Sequence, residues 1–154
     1  MPSDRDLPGY VKKSPGPWAV VEENKRSARF HHVRNEAVLI IQVDGGLIRE
    51  GERADYIVAH PSVVDVIVEL KGSDTSKAIA QIKATRPVWL CHELCGEQQG
   101  AIVVRGPGVR PKESARFERW KREFRKTFKM KLLVESRNRD YQFEEFLLPE
   151  ASLD

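Results

Sequence analysis

Two apolar runs rich in β-branched residues, Tyr56–Ala59 and Val63–Leu70, flank His60-Pro61-Ser62. Both runs read as strands and the triplet between them as a reversal, so residues 53 to 71 predict a hairpin. With the turn centred on Ser62, Ala59 faces Asp65, Ile57 faces Ile67 and Asp55 faces Glu69. Side chains alternate along a strand, so Glu69 and Lys71 share one face while Val68 and Leu70 take the other. Directly opposed residues on one face stand roughly 5 Å apart at Cβ. Two carboxylates that close repel each other, and a divalent cation between them removes the repulsion. Oxygen donors of this kind suit Mg²⁺ or Mn²⁺. Asp65, four residues and roughly 13 Å back from Glu69, reads as a solvated group on the turn side.

An aspartate on one strand, Glu69-Leu70-Lys71 closing the next, Gly72, and then a helix carrying Ala78 and Gln81 together resemble the PD-(D/E)xK nuclease superfamily. The resemblance covers about residues 36 to 135. It implies a restriction-endonuclease-like α/β fold, with an antiparallel three-stranded unit followed by α-β-α-β in a mixed sheet flanked by helices. It implies Asp55 and Glu69 as metal ligands, joined by the backbone carbonyl of Leu70, and Lys71 as the group that orients water or steadies charge on a phosphate. Relatives often add a glutamate from upstream, for which Glu36 is the first candidate and Glu23 the second. Some also point a glutamine at the scissile region, here Gln81, and follow it four residues on with a tyrosine, here replaced by Thr85. The implied activity is Mg²⁺- or Mn²⁺-dependent hydrolysis of phosphodiesters, DNA favoured over RNA, in an endonuclease. Ala54 stands where the family often has proline. The opposing readings are a surface hairpin whose charges keep a sheet edge soluble, a non-catalytic binding or assembly subunit on the same fold, and, for Gln81, a helix residue bonding its neighbours.

The rest of the chain is read around that unit. Its 154 residues, 40% apolar and 32% charged with a net charge of +3, fit one domain with a proper core. Residues 1 to 17, with four prolines and two glycines, read as a flexible arm, leaving 18 to 154 as the domain. No run has the length of a membrane span, and no signal peptide is apparent, so an intracellular, cytoplasmic protein with reduced cysteines is expected. Trp18–Val21 followed by Glu22 and Glu23 predicts a short helix, and residues 37 to 43 a buried strand. Asp44-Gly45-Gly46 is turn chemistry, and Asp44 is assigned to the turn rather than to catalysis.

Ser73-Asp74 offers a helix N-cap, and Pro87 should kink or end that helix, with a second short one after it. Cys91 and Cys95 resemble half a zinc site, but with no second cysteine pair they read as buried small hydrophobes. Residues 101 to 104 and 131 to 134 read as strands, and the acidic tail from Glu144 as a peripheral cap. Between those strands, residues 112 to 129 form an amphipathic helix with Phe117, Trp120, Phe124 and Phe128 on its inner face. Its outer face bears Arg116, Arg119, Lys121, Arg122, Arg125 and Lys126, a candidate nucleic-acid surface or a solvated helix face. No specificity domain is visible, so targeting falls to a partner protein or to a homodimer.

Overall fold

The computed structural model describes residues 7–70, 74–106 and 111–149, with the side chains of 111–114 left out of account. Its strands are β1 (Val11–Lys13), β2 (Trp18–Glu23), β3 (Arg26–His31), β4 (Leu39–Gln42), β5 (Tyr56–His60) and β6 (Val64–Glu69). Helix α1 (Thr75–Leu90), β7 (Gln99–Val104), α2 (Pro111–Glu123), β8 (Lys131–Glu135) and β9 (Arg139–Gln142) follow. A π-helical turn, Phe124–Phe128, prolongs α2, and a 3₁₀ turn, Phe143–Phe146, follows β9.

Six strands form a mixed sheet in the order β1-β4-β5-β6-β7-β8. The first four pair antiparallel and the last three run parallel. Parallel neighbours need crossover connections, and α1 and α2 supply them. The α/β class and the run of three antiparallel strands, helix, strand, helix, strand are therefore as the sequence predicts. Register matches as well: Ile57 pairs with Ile67 and Ala59 with Asp65.

Both faces of this sheet are covered, which explains why β4 and β6 are apolar on both sides. One face packs on α1 and α2 through Ile57, Ile67, Ile79, Ile82, Trp89 and Phe124. Trp120 and Phe128 lean against that core, and Phe117 stacks on Trp120 at 6.0 Å, so the predicted aromatic stripe does face inward. Among the described residues, the other face meets no α-helix. It packs on a second sheet, β2-β3-β9, where Phe30 stacks on Tyr141 and Phe143 at 5.5 and 5.4 Å.

Several expectations are corrected. Trp18–Glu23 is a strand, because Ala19 and Val21 alternate inward with Trp18, Val20 and Glu22 outward, a period of two and not of 3.6. The second half of the predicted arm is structured, since Val11–Lys13 pairs with β4 as an edge strand; residues 1–6 lie outside the described residues. Pro87 sits inside α1 without ending it. Near a helix end the ring removes a single intrahelical bond, and the buried Trp89 holds the last turn to the sheet. Asp74 is the N-cap, accepting from the Lys77 N–H at 3.0 Å, whereas Ser73 lies outside the described residues. The tail is more than a cap: Phe146 is buried against β6 and β7, so close to Gly100 that a Cβ there would stand 2.8 Å from it.

Asp65 is not solvated. It is 1% exposed, and its Oδ2 accepts from Trp89 Nε1 at 2.9 Å and from the Gly96 N–H at 2.7 Å. The group that looked like a turn-side charge anchors the end of α1 to β6.

Candidate metal centre

Asp55 begins the central hairpin and is tied down on every side. Its N–H donates to Val68 O at 3.2 Å, and its carbonyl accepts from the Val43 N–H at 3.0 Å. Its Oδ2 accepts from the Leu70 N–H at 2.7 Å, so the carboxylate reaches across to the end of β6. One residue earlier, the Ala54 N–H donates to Thr85 Oγ1 at 2.8 Å, and that hydroxyl donates to Gln81 O at 2.8 Å. Thr85, in the position where relatives of the resembled family carry tyrosine, thus clamps α1 to the start of β5.

Asp55 is 3% exposed and Glu69 0%. β5 and β6 are interior strands, which excludes a soluble hairpin edge, and burying carboxylates is costly without compensation. Ile67 turns to the helices while Val66 and Val68 turn to the second sheet, so alternation sends Glu69 to the helix side. Leu70 is buried on the opposite face. Lys71, with Gly72, lies outside the described residues.

Oxygens of Glu23, Asp44 and Asp55 all lie within 4.8 Å of one another. Each arrives from a different element: Glu23 closes β2, Asp44 leaves β4 and Asp55 enters β5. The Asp44 turn is built by its glycines. Gly45 has φ +80°, and a Cβ on Gly46 would stand 2.3 Å from Gln42 O and 2.6 Å from Tyr10 Cβ. Arg53 Nε donates to Asp44 Oδ1 at 2.7 Å, setting a cation at the rim. Burial, then the charges of Glu23, Asp55 and Asp44, push the neighbouring Tyr56 hydroxyl above its ordinary value. A donor set of carboxylates alone suits a hard cation such as Mg²⁺ or Mn²⁺.

This set differs from the predicted one: Asp55 is in it, and Glu69 is not. Glu36, the first choice for the extra glutamate, bonds His60 Nε2 at 2.7 Å and accepts from the Val33 N–H, which holds it below its ordinary value. His60 is at the far end of β5, five residues or roughly 16 Å from Asp55, so Glu36 is not brought to the centre. Glu23, the second choice, is. Asp44, assigned to the turn, belongs to both. Register sets its neighbour Val43 opposite Asp55, but the turn and not the register decides where the Asp44 side chain goes. Glu23 had no local signal, because its place depends on how two sheets pack.

A cleft of about 400 Å³ opens beside the centre, lined by Asp44, Gly51, Glu52, Arg53, Lys77 and Gln81. Gln81 is 6% exposed, and its Oε1 has no hydrogen-bond partner among the described residues. That disfavours the reading in which Gln81 only bonds its helix neighbours. Lys77, in the first turn of α1, was not singled out from the sequence. Comparison with family models finds no match, and neither curated proteins nor solved structures give one.

The six helix cations are not brought to this cleft. Arg116, Arg119, Arg122 and Lys126 are exposed, and Lys121 and Arg125 half-buried. Lys121, Arg122 and Arg125 border a separate pocket beside Lys131, at the start of β8. The cysteines do not form the predicted buried pair: Cys91 is exposed and caps α1, and Cys95 is half-buried beyond it. Burial and the Asp65 charge push the Cys95 thiol up to about 11, away from the thiolate that zinc requires. Among the described residues, Glu23, Asp44 and Asp55 are the group of three or more metal-capable side chains. No helix among them is long and apolar enough to cross a membrane.

Proposed function

We propose that the protein is a metal-dependent phosphodiesterase acting on nucleic acid, DNA in preference to RNA, on a restriction-endonuclease-like scaffold. The observation that carries this is the convergence of Glu23, Asp44 and Asp55 beside a cleft walled by Gln81 and Lys77. The order β4-β5-β6-α1-β7-α2-β8, with Asp55 and Glu69 at adjacent strand ends, supports it further.

Glu23, Asp44 and Asp55 would hold one Mg²⁺ or Mn²⁺, with Glu69 and the Leu70 carbonyl on the neighbouring strand as further donors. A cation there supplies Lewis acidity toward a phosphate oxygen and a more acidic water. The chain's own groups do the positioning. Lys77 brings a cation to the cleft for a phosphate oxygen, and Arg53, its Nε on Asp44 and its Nη1 on Gly51 O, adds a second positive charge at the rim. Gln81 lines the cleft, and its buried Oε1, without a hydrogen-bond partner among the described residues, is an acceptor held at the wall. Lys71, which lies outside the described residues, is assigned the water-orienting role that the resemblance implies.

The test incubates the protein with labelled circular single-stranded and duplex DNA in Mg²⁺, Mn²⁺ or EDTA. Glu69→Gln runs alongside, because full burial makes alanine at this site a cavity as well as a charge loss. Metal-dependent cleavage that falls at least about a hundredfold in the variant, with an unchanged circular dichroism spectrum, supports the assignment. Binding that EDTA leaves intact, with no cleavage of either substrate, moves the protein to the non-catalytic class.

A further inference from the structure

A second pocket, of about 440 Å³, lies where the end of α2 meets the start of β8. Lys121, Arg122 and Arg125 come from the helix and its π-helical turn. Lys129, with φ 55°, then reverses the chain so that Lys131 enters β8 beside them. Among the described residues, four cations therefore border one concavity against a single carboxylate, Glu118, which lies 3.5 Å from Lys121. Arg122, Arg125 and Lys131 have no carboxylate partner among the described residues. Like charges gathered without a counterion repel one another, and a bound anion relieves that repulsion. The accessible apolar wall is made by Leu148, half-buried, and Pro149, exposed, with the nearly fully buried Met130 and Leu132 behind them. A rim of guanidinium and ammonium groups over an apolar wall suits a ligand with a phosphate at one end and a flat ring at the other. The volume matches that of small-molecule sites in general.

This pocket is not part of the metal centre. Lys131 pairs with Gly100 at the start of β7, whereas Glu69 pairs with Val103, three residues further on and on the next strand. The two sites are therefore separated by about 10 Å along the strands and by two strand spacings, about another 10 Å, across them.

We propose that this pocket binds the phosphate of a nucleotide, free or as a unit of a nucleic-acid strand, with the base against the Leu148 and Pro149 wall. The proposal does not depend on cleavage at the metal centre. The test titrates the full chain, in EDTA throughout, with inorganic phosphate, a deoxynucleoside monophosphate and a short single-stranded oligonucleotide, by calorimetry. Saturable binding of the monophosphate, tighter than inorganic phosphate and weakened about tenfold for each guanidinium removed in Arg122→Ala and Arg125→Ala, supports a free nucleotide. Binding of the oligonucleotide alone, with a salt slope that falls by about 0.7 for each phosphate no longer neutralised in a variant, supports the strand. Lys131→Glu gives an independent reading from β8 should a helix variant lose its fold. Inorganic phosphate bound as tightly as the nucleotide, or variants that bind every probe like the parent, would overturn the proposal.

Discussion

Asp65 shows how much a single buried group can say. Burial pushes its carboxyl above the ordinary value of 3.8, against the pull of the Gly96 and Trp89 donors. The folded protein then holds a proton there more readily than the unfolded chain does. That contribution to stability is full below the unfolded-state value and is lost as pH rises through the higher folded one. Asp65→Asn keeps an acceptor for both donors and cannot titrate. Its melting temperature should therefore fall less than the parent's as pH rises from 3.8 upward, and parallel melting curves would refute the shift. From the sequence, Asp65 was one more charge on a hairpin. Its burial follows from Trp89, 24 residues on, and no local pattern reports such a partner. The register of the hairpin, Tyr56 with Val68 and Ile57 with Ile67, was legible by contrast, because strand alternation and hairpin register are local rules.

At the scale of elements, α1 and the Asp44 turn set the geometry of the centre. Thr85→Val removes both the acceptor for the Ala54 N–H and the donor to Gln81 O while keeping the shape. A buried donor left unsatisfied costs about 1–3 kcal/mol, so the urea midpoint should fall correspondingly. If it does not move, the clamp between α1 and β5 is not structural. Gly46→Ala forces the turn away from the Gln42 carbonyl, since backbone at 2.3 Å cannot yield. Mn²⁺ affinity, measured by electron paramagnetic resonance, should drop with the displacement of Asp44, and an unchanged affinity would remove Asp44 from the ligand set. The elements themselves were mostly readable, β4 to β8 above all, since their apolar runs and caps are contiguous. The misread stretch, Trp18–Glu23, is too short for a period of two to be told from 3.6.

Over the whole molecule, metal binding and stability are linked. A cation that binds only the folded protein stabilises it by about 2.7 kcal/mol at a hundred times its dissociation constant. Mn²⁺ should therefore raise the unfolding midpoint of the parent and of Glu36→Gln, but much less in Asp44→Asn or Asp55→Asn. Loss of the effect in Glu36→Gln, with Asp44→Asn unaffected, would return the site to the composition expected from sequence. That contrast marks the boundary between the two kinds of information. The amino-acid sequence by itself determined the hairpin register, the order of strands and helices, and the inward stripe of α2. Each of these depends on residues near one another in the chain, where periodicity and turn chemistry act. Only the tertiary structure decided that a second sheet covers the back of the first, that Glu23 and Asp44 join Asp55 while Glu36 goes to His60, and that Lys121, Arg122 and Arg125 meet Lys131 in a pocket of their own. Those outcomes rest on packing between elements far apart in the chain, where the burial of shared apolar faces chooses the neighbours and the charged groups are carried along.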